Sequence, residues 1–212
     1  MAHQLFKRAA LALAIVFAFA GAALAAPTFP QLTGRVVDDA HILSPEVQAQ
    51  LTQKLADLEQ RTSRQLVVVT LPSLQGYEIE DYGYQLGRAW GIGQKKLNNG
   101  ALFIIAPNER RVRIEVGYGL EPVLTDALSS VILQAKVLPK FKSGDMSGGI
   151  VAGTDAIVEQ LLLDAPAAKA RVAEAEKQVK NQDSDDPFTA IFVFIVIMIV
   201  VASIFRRGRG GG

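Results

Sequence analysis

Apolar residues fall along this chain in two periods, and each change of period marks an element. Val47, Leu51, Leu55 and Leu58 recur at intervals of four, four and three, the spacing of one helical face. Ser44-Pro45-Glu46 stands before them with a cap residue, a first-turn proline and an acid at the positive end of the dipole, so a helix runs from there to about Arg61. Gln65 to Leu71 contains three consecutive valines and stops at Pro72, which reads as a buried strand. Ile79, Tyr82, Leu86 and Trp90 then share one side of a helix from Glu78 to Trp90, with Trp90 and the tyrosines as core, ended by Gly91-Ile92-Gly93. Ala101 to Ala106 is a second apolar run. Arg111 to Val116 alternates, with Val112, Ile114 and Val116 on one face and Arg111, Arg113 and Glu115 on the other. The turn Pro107-Asn108-Glu109-Arg110 joins these two into a β-hairpin. A third helix starts at Thr125 or Asp126 and is closed by Pro139; a fourth runs from about Met146 to Leu163. Upstream, Pro27 and Pro30 keep Thr28 to Asp39 extended, with a short strand at Val36-Val37.

This order predicts an α/β fold, an α/β/α sandwich in which about four helices cover a small mixed sheet containing the hairpin. Gln65 to Ala106 should form a right-handed parallel crossover. Antiparallel pairing sets the start of one hairpin strand beside the end of the other. Asn98, Asn99 and Gly100 therefore meet Gly117-Tyr118-Gly119 and the Glu121 and Asp126 that follow. Amide, carboxylate and glycine backbone converge there, and a site is expected there.

The ends of the chain read differently. Residues 1–25 have a basic start (Lys7, Arg8), an apolar run and Ala23-Leu24-Ala25, the pattern of a secretory signal cleaved before Ala26. Residues 164–187 are rich in Ala, Lys and Glu and then acidic, which predicts a solvent-exposed helix and a linker. Phe188 to Phe205 is uncharged and, at about 1.5 Å per residue, spans roughly the hydrocarbon thickness as a transmembrane helix. Acidic residues precede it and Arg206, Arg207 and Arg209 follow in the short Gly-rich tail 206–212. The positive-inside rule then puts the tail in the cytoplasm and the folded domain outside, periplasmic in a Gram-negative host.

Composition narrows the chemistry. The chain has 212 residues and no cysteine, which excludes disulfides, thiolate metal sites and cysteine nucleophiles. Of two histidines only His41 lies beyond the signal, so paired-histidine metal sites are excluded, and His41 itself reads as a packed or surface residue. The part outside the membrane keeps 17 basic residues against 21 acidic ones, a net charge of about −4, which disfavours nucleic acid and suits cations. Gly91 to Lys96 does not match a phosphate loop, so no nucleotide is expected. Asp183, Asp185 and Asp186 read as a solvated charge run.

Several motifs together resemble the TPM domain: Phe29-Pro30-Gln31-Leu32-Thr33-Gly34-Arg35-Val36-Val37-Asp38, Leu43-Ser44-Pro45-Glu46, Asn99-Gly100, Arg113-Ile114-Glu115-Val116-Gly117-Tyr118-Gly119-Leu120-Glu121 and Thr125-Asp126. The domain would occupy residues 26–163. Signal, domain, membrane helix and glycine-rich end look like the YgcG-type bacterial envelope proteins, although those carry a longer tail. The resemblance implies a compact α/β/α fold. Among relatives it implies acid phosphatase activity in one case, divalent-cation binding, and accessory roles in membrane complexes. It carries over Asp38, Asn99, Arg113, Glu115, Glu121 and Asp126. Asp38, Asn99, Glu121 and Asp126 are then candidate ligands for Ca²⁺ or Mg²⁺, as hard oxygen donors. Arg113 and Asp126 are the candidate catalytic residues if the protein is an enzyme. Arg113 and Glu115 read equally well as a same-face charged pair on a half-exposed strand. Asp39 to Leu43 is expected to run extended along the sheet, at about 3.3 Å per residue, and to deliver Asp38 to the Asn99 end. The favoured function is a membrane-anchored accessory module that docks an envelope or membrane protein. The alternative is a metal-dependent phosphomonoester hydrolase.

Overall fold

Every position of the strand Gly100–Ala106 is buried, because it lies inside a sheet with helices on both faces. The computed structural model describes residues 26–184 and Met198. The sheet has the order β1 (Val36–Asp38), β2 (Gln65–Thr70), β3 (Gly100–Ala106), β4 (Arg111–Val116). β1, β2 and β3 are parallel, and β4 returns antiparallel with Phe103 opposite Ile114. The helices are α1 (Pro45–Thr62), α2 (Ile79–Trp90), α3 (Asp126–Ile132), α4 (Leu138–Lys142), α5 (Met146–Leu162) and α6 (Ala165–Ser184).

Alternation along the strands divides the core in two. Val68, Phe103, Ile105 and Ile114 pack with Leu51, Leu55 and Leu58 of α1 and with α3, α5 and α6. Val67, Val69, Leu102 and Ile104 face Ile79, Tyr82 and Leu86 of α2. Among the described residues the layers are those of an α/β/α sandwich with α2 alone on its face. β1, β2 and β3 step across the sheet in one direction, yet α1 and α2 cover opposite faces. The two parallel crossovers therefore have opposite hands, and one of them departs from the right-handed preference.

Three expectations need correcting. Pro139 does not end the third helix. A π-helical turn, Leu133–Val137, leads into α4, where Pro139 occupies the first turn and its missing N–H costs no hydrogen bond. The helix after residue 164 is not merely solvated: Ala168, Val172 and Ala175 are buried in the first core, on a seam of small residues against α3. Tyr82 is core, but Tyr84 is exposed. On the α2 face, Tyr82 donates to the Thr28 carbonyl (3.1 Å) and Trp90 Nε1 to the Pro30 carbonyl (2.9 Å), so the extended entry segment straps that helix. Among the described residues no helix is long and apolar enough to cross a membrane; residues 1–25 and 188–205, apart from Met198, lie outside them.

Candidate binding cleft

The open end of the hairpin is built from backbone. The Gly117 amide donates to the Gly100 carbonyl (2.8 Å) and the Gly119 amide to the Asn98 carbonyl (3.1 Å). A Cβ on either glycine would run into the carbonyls of Asn98 and Leu97, so the two segments can cross this closely only as glycine. Leu120, next in sequence, is buried and pins the loop to the core. Tyr118, between the glycines, is left 77% exposed.

This crossing borders an open cleft of about 570 Å³ between α2 and the end of β4. α2 contributes Tyr84 and Arg88, the following loop Lys95 and Asn98, and β4 Arg113 and Glu115; Tyr118, Glu121 and Asp126 complete it. Arg113 is held from two sides, by Glu115 on its own strand (Nε to Oε2, 2.7 Å) and by Glu80 of α2 (3.6 Å). Arg88 donates to the Tyr84 hydroxyl (2.8 Å) and lies 5.5 Å from that ring's centroid, a cation–π contact. Asp126 is the first residue of α3, whose cap Thr125 accepts from the Leu128 amide at 3.3 Å. Glu121 and Asp126 are both exposed, and among the described residues neither is in an ion pair.

The sequence-derived residues divide into three groups. Arg113, Glu115, Glu121 and Asp126 line the one cleft. Asn99 does not. It is 8% exposed, its Oδ1 accepts from the Gln94 amide (2.9 Å), and its Nδ2 donates to the Ser63 carbonyl (2.6 Å). It is a knot joining the loop, the end of α1 and the start of β3, while its neighbour Asn98 faces the cleft. Asp38 lies at the other end of the sheet. It pairs with Thr70 in register, and Thr70 pairs with Ile105, whereas Asn99 immediately precedes β3. At about 3.3 Å per residue that is a whole strand away. The segment after Asp38 does not run extended. Asp38 accepts from the Ile42 amide (3.1 Å), the Leu43 amide (3.0 Å) and the Thr70 hydroxyl (2.6 Å), which fold it into a turn with His41 left-handed at φ 53°.

The four-residue cation site consequently does not close around one ion. Among the described residues no group of three or more His, Cys, Asp or Glu side chains is placed to hold a metal. Only Glu121 and Asp126 of the set share the cleft, fewer than the six to eight oxygens typical of calcium. Tyr84, Arg88 and Lys95 were missed as lining residues, whereas Tyr118 stands at the hairpin end where the sequence placed it.

The TPM domain family matches residues 36–160, more than half of the chain. The chain belongs to the TPM domain family. The TPM domain here is similar to the N-terminal domain of a protein from P. gingivalis, solved by solution NMR. That domain is 37% identical with a TM-score of 0.58, over 61% of this chain and 82% of the other. Two further solution structures resemble it more distantly. One is the N-terminal domain of cg2496 protein from Corynebacterium glutamicum, at 20% identity and a TM-score of 0.49 over 66% and 90% of the two chains. The other is BA42 protein from the psychrophilic Bizionia argentinensis, at 21% and 0.49 over 57% and 81%. No curated protein matches the chain.

Proposed function

We propose that this TPM domain is an accessory module of the cell envelope, tethered by Phe188 to Phe205 with its folded part outside the cytoplasm, which docks a segment of another membrane or envelope protein in the cleft beside Tyr118. Tyr118 carries the reading. A large amphipathic ring, mostly exposed, stands on a backbone crossing that costs little to hold still, and such rigid tyrosines beside arginine are typical anchors of protein interfaces. The cleft mixes Arg88, Lys95 and Arg113 with Glu115, Glu121 and Asp126, which suits a polypeptide better than a ligand of one charge sign.

A photo-crosslinking residue in place of Tyr118, in the full chain in its own membranes, should capture a defined polypeptide, and the yield should fall when Glu121 and Asp126 are both changed to alanine. Calcium or magnesium, added to the same experiment, tests whether that carboxylate pair binds a cation that strengthens docking. The hydrolase reading rests on Arg113 and Asp126 lining the same cleft. Turnover of a generic phosphate ester, lost in Asp126→Asn with the fold intact and without any captured partner, would replace the accessory reading.

A further inference from the structure

β4 is an edge strand. Because the Gly117 amide bonds to Gly100, the antiparallel ladder turns Arg111, Arg113 and Glu115 toward β3 and the amides and carbonyls of Val112, Ile114 and Val116 away from it. Among the described residues no strand pairs with that side. The Ile114 side chain is already buried in the first core, so what the edge offers is backbone, a template for another strand.

The residues on the edge indicate which strand. Read antiparallel about Ile114, β4 is its own complement: Ile114 meets Ile114, Val112 meets Val116, and Arg113 meets Glu115. α2 repeats the relationship. Its exposed stripe Glu80, Tyr84, Arg88 is self-complementary about Tyr84, with Glu80 meeting Arg88. The two centres lie at one level. A Cβ on Gly83 would touch the side chains of both Ile104, which is level with Arg113, and Glu115, so Gly83 and its neighbour Tyr84 sit at the height of Ile114. A single two-fold axis therefore serves strand and helix together. Strands pair at about 4.8 Å and helices pack at about 8–10 Å, so a helix lying over β3 and β4 meets its copy across that axis.

We propose that the chain associates with a second copy of itself through β4 and α2, joining the two sheets into one of eight strands. The register sets Arg111 of the second copy opposite Gly117, so each cleft gains a cation beside Tyr118 from the other chain. Tyr84, Arg88, Arg113 and Glu115 belong to both the cleft and this interface, so self-association and docking share one wall.

The chain lacks cysteine, so Tyr84→Cys puts its only thiol on the axis. In the full chain, in membranes or detergent, mild oxidation should give a covalent dimer, which Thr52→Cys on the exposed side of α1 should not. Glu80→Arg and Arg88→Glu each set like charges across the axis and should weaken self-association about tenfold. Mixed together, the two variants should pair with each other, because every contact between the unlike copies is again between opposite charges. The proposal is overturned if the mixed variants stay apart, if Tyr84→Cys cross-links no faster than Thr52→Cys, or if it captures only a different polypeptide.

Discussion

The side-chain amide of Gln160 lies 2.6 Å from the Val123 carbonyl and 3.3 Å from the Ala168 carbonyl. Val123 follows Glu121 on the rim of the cleft, and Ala168 is in α6. One buried residue of α5 thus ties the cleft rim to the helix that leads toward the chain's C-terminal end. Gln160→Leu strands the Val123 carbonyl, and should lower stability by about 1–3 kcal/mol in denaturant unfolding. Amide exchange should rise locally over residues 117–124. Unchanged exchange there would show that the rim is held by its apolar contacts, Leu120 and Leu124, instead.

How much of this was readable beforehand follows from the range of the interactions. Periodicity located α1, α2, β2, β3 and β4 to within a residue or two, because burial on one or both faces repeats within each segment. The hairpin placed Asn98, Tyr118, Glu121 and Asp126 in one region by local pairing alone. Asp38 went the other way. Its position depends on a turn held by its own carboxylate against Ile42, Leu43 and Thr70, contacts that no period encodes. Asn99 shows the same limit: a buried amide satisfied by backbone and an amide facing a ligand have the same sequence. The burial of α6 was hidden because Ala168, Val172 and Ala175 are too small and widely spaced to stand out in a charged segment.

Asn99 supplies a direct check on that distinction. Replacing it with alanine removes the bonds to Ser63 and Gln94 from a nearly buried position, and should destabilise the domain by about 2–4 kcal/mol. If Asn99 is structural only, the loss should be the same with and without millimolar calcium or magnesium. A loss that appears only when the cation is present would return Asn99 to the site as a ligand.

Gly119→Ala tests the backbone crossing. The added methyl meets the Leu97 carbonyl, which cannot rotate away as a side chain could, so the two segments must separate at a cost of about 1–3 kcal/mol. Gly34→Ala, where nothing lies within 4 Å, should be nearly silent. Comparable unfolding midpoints for the two variants would show that the two segments can separate without cost. Partner capture at position 118 should fall in Gly119→Ala, since the ring would no longer be presented from a fixed platform.

Asp38→Ala should separate stability from binding. Its carboxylate holds the turn after β1 and accepts from Thr70, which is fully buried, so the loss should again be about 2–3 kcal/mol. The cleft lies at the opposite end of the sheet, so capture at position 118 by the folded variant should equal that of the natural chain. Reduced capture at unchanged folded fraction would show that the two ends of the sheet are coupled.

Acid should reveal one cap specifically. Asp145 precedes α5 and accepts from the Gly148 amide at 2.8 Å, with Lys140 at 3.3 Å; the Gly148 bond first, then Lys140, holds its carboxyl below the ordinary aspartate range. A carboxyl depressed in the folded state contributes stability that is present above its unfolded value and is lost as pH falls through the folded one. The thermal midpoint of the natural chain should therefore exceed that of Asp145→Ala at neutral pH, and the gap should shrink as pH is lowered below the ordinary aspartate value of about 4. Taking the difference between the two proteins removes the acid sensitivity common to every other carboxylate. A gap that stays constant to the acid limit would assign the cap's contribution to local backbone geometry rather than to the charge on Asp145.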